Sequence, residues 1–132
     1  MEGFGFQKLD VYKEAKELVK LVYVLLEKYP KTEMFALCDQ LRRAVISVPS
    51  NIAEGLGRAS SKEQVHFLGI AYGSLMEVLC QLELSSELGY ISNEDFVFVE
   101  QRIERVAKLL SGLRKALRRR MVEGGSTLYS QQ

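Results

Sequence analysis

Gln40-Leu41-Arg42-Arg43-Ala44-Val45-Ile46-Ser47-Val48-Pro49-Ser50-Asn51-Ile52-Ala53-Glu54-Gly55 is the stretch whose reading settles the architecture. Across it, apolar residues recur at Phe35, Cys38, Leu41, Val45, Val48, Ile52 and Leu56. Steps of three and four make one face of a helix. Pro49 falls inside this run, and proline has no N–H for the carbonyl of Val45, so it kinks or breaks a helix. The stripe keeps its phase on both sides of Pro49, and the reading is one helix, kinked there. The competing reading is a fresh start at Asn51, an N-cap residue type with Glu54 at capping-box spacing.

Upstream of it, a first helix is expected from about Lys8 to Tyr29, stopped by Pro30. Its stripe is Tyr12, Ala15, Leu18, Val19, Val22, Leu25, Leu26 and Tyr29. Val11, Leu21 and Val24 lie off that stripe, more apolar surface than one core contact needs. The second helix starts near Thr32, a good N-cap, and stops at Gly55 and Gly57. A third starts at Ser60 or Ser61, with Glu63 or Gln64 completing a capping box, and reaches about Leu88, with Gly89 as its C-cap. It carries two stripes: Val65, Leu68, Ala71, Tyr72, Leu75, Leu79 and Leu82, then Phe67, Ile70, Ser74, Glu77, Gln81, Leu84 and Leu88. Two apolar faces mean burial on two faces, the second against another subunit. Gly69 and Gly73, each costing ~1 kcal/mol of helix propensity, would let a neighbouring helix come close. Ser92 caps a fourth helix with a heptad seam at Phe96, Val99, Ile103, Val106, Leu110, Leu113 and Leu117. Short connections then give an all-α, antiparallel up-down-up-down four-helix bundle. Residues 1–123 form the single domain and 124–132 a flexible C-terminal tail with nothing to pack.

Bulk composition narrows the function classes. The 132 residues are 47% hydrophobic and 27% charged, with a net charge of +1. A dedicated nucleic-acid domain is usually basic throughout, so any such binding must come from a local patch. The stretch Met1-Glu2-Gly3-Phe4-Gly5-Phe6 does not resemble a signal peptide, having no basic region before an apolar run, and no apolar run approaches the ~18 residues that span a bilayer. A cytoplasmic protein without membrane contact is expected. Cys38 and Cys80 read as small buried hydrophobes. The lone histidine, His66, reads as a surface residue. No HExxH, Glu-x-x-His pair, phosphate loop or GxSxG occurs, so no catalytic residue, metal or cofactor is expected.

Two sets of polar residues stand out. Arg42, Arg43, Ser47, Asn51, Glu54, Ser74 and Glu77 fit a hydrogen-bonded network: Glu54 or Glu77 pairs with an arginine, and Asn51 or Ser47 satisfies the carbonyl freed by Pro49. Leaving such a group buried and unpaired costs ~1–3 kcal/mol. The alternative is a ligand or nucleic-acid site at the kink. The second set is Arg114, Lys115, Arg118, Arg119 and Arg120, with Arg42, Arg43 and Arg58 as secondary candidates. Cations stabilise a helix C-terminus, and arginines also suit bidentate phosphate contacts. No aromatic residue interleaves with this cluster, so base stacking is not indicated.

The strings QLRRAVISVPSNIAEGLGRAS and FLGIAYGSLMEVLCQLELSSELGYI resemble the four-helix-bundle proteins encoded in intervening sequences of bacterial 23S ribosomal RNA genes. The resemblance spans roughly residues 4–118, nearly the whole chain. It implies a bundle fold and a homo-oligomer, a ring-like pentamer, and brings no settled activity. It tilts the basic cluster toward structured RNA. Similar pentameric bundles serve as accessory proteins of retroelement reverse transcriptases, so the alternative is a scaffold docking a protein partner. That scaffold would use the surplus apolar surface of helices one and three, or the ring's opening.

Overall fold

The computed structural model describes residues 3–123. Four helices account for most of them: α1 (Asp10–Leu26), α2 (Leu37–Leu56), α3 (Ser61–Glu87) and α4 (Asn93–Val122). Short 3₁₀ turns, Gly5–Lys8 and Lys31–Glu33, precede α1 and α2. No strand occurs among the described residues, and the fold is an all-α four-helix bundle. The tail expected at 124–132 lies outside the described residues.

Each helix packs on two neighbours: α1 on α2 and α4, and α3 on α2 and α4. Leu41, Ile52, Leu68, Leu75, Leu82, Ile103, Leu110 and Leu117 are all but fully buried between them. Each such side chain contributes about 1.5–3 kcal/mol relative to exposure. Polar pairs tie helix ends together. Lys28, just after α1, holds Asp95 in the first turn of α4 at 2.6 Å, and Glu14 of α1 meets Arg105 of α4 at 3.3 Å.

Most of the core stripes face this core, but in mid-α3 Val78, on neither stripe, and Gln81, expected against another subunit, are buried within the bundle; further differences lie at helix ends. Val11 is buried in the first turn of α1 rather than off the stripe, while Tyr12 moves to the flank under Phe6. The regular part of α1 ends at Leu26, because the amides of Lys28 and Tyr29 reach only three residues back, to Leu25 and Leu26. Tyr29 stays buried beyond the helix, tilted against Tyr90 at 5.5 Å.

Thr32 does not cap α2. It lies in the 3₁₀ turn, and Glu33 Oε1 accepts from the amide of Leu37 at the true start. Phe35 therefore falls before the helix, out of its phase, and is 88% exposed. From Leu37 the helix runs unbroken through Pro49 to Leu56, and Asn51 is interior to it rather than a new N-cap. Gly55 is not a stop signal: it is buried within α2, and Gly57 ends the helix in ordinary right-handed geometry.

α3 and α4 begin as their serines predict. Ser60 Oγ accepts from the Glu63 amide at 3.2 Å, and Ser92 Oγ from the Asp95 amide at 3.0 Å. Gly89, at φ +81°, closes α3. Its amide reaches the Ser86 carbonyl and that of Tyr90 the Ser85 carbonyl, satisfying two otherwise open acceptors.

Two further expectations are corrected on α3. Cys80 is exposed, unlike the buried Cys38. Within this chain Gly73 faces open space and Gly69 faces an arginine side chain. By length and composition Ser61–Glu87 is also apolar enough to cross a bilayer. Unbroken apolar runs miss this, because glycine, serine and tyrosine dilute the run without making the helix hydrophilic. Only a third of its most apolar window is buried within the bundle.

Candidate nucleic-acid interface

The basic run at the end of α4 divides by helical phase, since successive residues point about 100° apart. Lys115, Arg118 and Arg119 share an exposed side and line, with Val122 and Glu123, a shallow hollow of about 300 Å³. None of the three forms an ion pair among the described residues. Arg119 also lies in the last turn of α4, where positive charge is favoured.

Arg114 points elsewhere. Its guanidinium lies over the Tyr72 ring at 5.8 Å, and a β-carbon on Gly69 would stand 3.2 Å from its Nη2. Gly69 thus makes room for a side chain from α4. Arg114 Nε is buried without a hydrogen-bond partner. Burial pushes its pKa below the ordinary arginine value, the positive charge of Arg118 adds to that, and Tyr72 opposes it. Arg120 is half-buried and already engaged in an interaction.

The secondary arginines do not join this patch. Arg58 sits in the α2–α3 connection, bound to Glu54 at 2.7 Å, near Glu63 at 3.9 Å, and over the Phe67 ring at 4.7 Å. Arg42 donates to the Met34 carbonyl at 3.1 Å, and the exposed Arg43 meets Asp39 at 3.4 Å. Sixteen residues of nearly continuous helix separate Arg42 from Arg58, about 24 Å of rise. The eight candidate cations therefore do not converge on one surface.

The expected polar network exists in a smaller form. Asn51 Nδ2 donates to the Ser47 carbonyl at 2.9 Å and to Ser47 Oγ at 2.8 Å. Ser47 Oγ in turn meets Ser74 Oγ at 2.8 Å, linking α2 to α3. Asn51 thus serves the Ser47 carbonyl rather than that of Val45, the one Pro49 frees. Glu54 takes Arg58 as its arginine. The carboxylate of Glu77 accepts from Gln81 at 3.4 Å, and Arg42 and Arg43 are engaged elsewhere.

Gln64, fully buried in the first turn of α3, was not foreseen. Its Nε2 donates to the Arg58 carbonyl at 3.2 Å, fastening the α2–α3 connection. The clue available in the sequence was its place in the Ser61, Gln64, Leu68 spacing. His66 is exposed. Among the described residues, no group of three His, Cys, Asp or Glu could hold a metal.

The sequence model of a family described as 23S rRNA-intervening sequence protein matches residues 7–112. The match stops short of the Arg114–Arg120 run. Among solved structures, the chain is similar to a protein with unknown function from the S23 ribosomal protein family of Bacteroides thetaiotaomicron VPI-5482. The two are 24% identical, with a TM-score of 0.72, over 80% of this chain and 95% of that one. That likeness is one of fold. No curated protein matches.

Proposed function

Because this chain belongs to the 23S rRNA-intervening sequence protein family, we propose that it acts without catalysis, as a homo-oligomeric helical bundle that binds structured RNA through phosphate contacts. The supporting observation is the exposed side of α4 on which Lys115, Arg118 and Arg119 stand together, free of ion pairs among the described residues. Three cations per chain are too few for tight binding alone. Repeated around an oligomer, a pentamer by the family resemblance, they raise effective affinity without new contacts. The family match ends at residue 112, and the patch lies beyond it.

The test is a fluorescence-anisotropy titration with a structured ribosomal RNA fragment, at low and at near-physiological salt. The comparison is a variant with Lys115, Arg118 and Arg119 changed to glutamate. Each phosphate contact contributes a salt slope of about 0.9 on duplex DNA. Binding that falls by more than two log units per decade of salt, and is lost in the variant, is the expected result. No binding at low salt by an intact oligomer, or binding unchanged in the variant, overturns the reading.

A second reading, docking of a protein partner, is favoured by the groove between α1 and α4. Val24 and Phe98 line it and are half exposed, and Arg102 lies over the Phe98 ring at 5.4 Å. Glu14, Glu17, Lys20 and Arg102 also line the groove, so docking there would depend on salt less steeply than phosphate binding does.

A further inference from the structure

We infer that the outer face of α3 seats in the α1–α2 groove of a second copy of this chain, so that two different surfaces meet at each contact. This rests on the self-assembly proposed above and adds which surfaces perform it.

The first surface is the side of α3 turned away from the bundle. Ile70, Gly73, Glu77, Cys80, Leu84 and Leu88 lie along it, all exposed. Three of them are large or branched aliphatics, and Gly73 has nothing within 4 Å of where a β-carbon would be. A mid-helix glycine costs about 1 kcal/mol relative to alanine, and within one copy it brings no packing in return. A neighbour's backbone drawn against it would supply the contact. From Ile70 to Leu88 every charged residue is a glutamate: Glu77, Glu83 and Glu87.

The second surface is the groove between α1 and α2, about 430 Å³ in volume. Val19, Ile46, Pro49 and Ala53 form its apolar floor, and its only charged lining residues are Lys16 and Lys20. Lys16 lies over the Tyr12 ring, and Lys20 holds Glu17 in an exposed pair, which contributes little on its own. An apolar floor with a cationic rim thus lies on the same molecule as an apolar ridge with an acidic margin. Two α3 faces laid together would instead bring glutamates against glutamates. Pairing of unlike surfaces leaves one of each free on every copy, and such contacts continue until they close a ring.

Sedimentation velocity of the full chain tests this with two variants. Ile70→Asp with Leu84→Asp alters only exposed positions of the ridge. Lys16→Glu with Ile46→Asp alters the groove. Each alone should sediment as a single chain with its helical circular dichroism retained. Mixed, they should form a one-to-one dimer and nothing larger, because only one ridge and one groove remain intact. Cys80 supplies an independent readout, since Cys38 is buried: an aromatic disulfide reagent should label it several-fold faster in the ridge variant than in the wild type. If an aspartate variant melts early, glutamine at the same positions replaces it. A wild type that is a single chain at all concentrations overturns self-assembly itself. An assembled wild type whose groove variant stays assembled, or whose two variants fail to pair, overturns the surface assignment and leaves self-assembly standing.

Discussion

Gly55 of α2 and Phe67 of α3 pack so closely that a β-carbon on Gly55 would stand 2.8 Å from Phe67 Cβ and 3.3 Å from the Gln64 carbonyl. Both opposing groups belong to, or sit directly on, the α3 backbone and cannot swing away. Overpacking of this kind costs about 1–3 kcal/mol, against about 1 kcal/mol of helix propensity gained. Gly55→Ala is therefore expected to lower the melting temperature. Gly112→Ala, in a helical position with open space around it, is expected to raise it. Thermal melts of both variants decide the matter; a Gly55→Ala melt at or above that of Gly112→Ala would refute the close approach.

Asn51, Ser47 and Ser74 form a chain of hydrogen bonds across α2 and α3. A net contribution of about 1 kcal/mol per bond is usual. Asn51→Ala and Ser74→Ala should each destabilise by about that much and act non-additively, since they share Ser47. A double-mutant cycle from urea denaturation measures the coupling, expected at 0.5 kcal/mol or more in this order of magnitude. Strict additivity would show that the chain does not act as a unit.

The Asp95 carboxyl is held below its ordinary pKa, first by the hydrogen bond from Lys28 and further by that ammonium's charge, with burial opposing. A carboxylate depressed in the folded state stabilises fully above its unfolded value, near ~3.9. That stabilisation is lost as pH falls through the lowered folded value. The stability difference between wild type and Asp95→Asn should hold steady at neutral pH and shrink below about 4. Denaturation curves from pH 7 to 2 check this, and a difference that grows on acidification would contradict it.

Arg114 and Arg118, one helical turn apart, should separate stability from binding. Arg114→Ala removes a guanidinium stacked on Tyr72 and packed on Gly69. Cation–π contacts contribute roughly 0.5–2 kcal/mol, so a lower melting temperature is expected with RNA affinity little changed. Arg118→Ala on the exposed side should shift stability by no more than about 0.5 kcal/mol and weaken RNA binding while flattening its salt slope. The reverse pattern in paired melts and titrations would place the phosphate contact on Arg114.

The positions of the four helices, and how α3 and α4 begin, were legible in the sequence. The seam of Val99, Ile103, Val106, Leu110 and Leu117 faces the core, Ser60 and Ser92 cap α3 and α4, and the phase kept across Pro49 is that of one continuous helix. All three are properties of neighbours along the chain, and helical periodicity and capping act within a few residues. Tertiary structure alone decided what lies between helices. It set Gly55 against Phe67, turned Arg114 onto Tyr72 and away from Lys115 and Arg118, and left Cys80 exposed while burying Gln64. Spacing says which residues share a helical face. How far that helix is rotated, and how near its neighbour comes, depends on packing summed over all four helices at once, and no local pattern contains that sum.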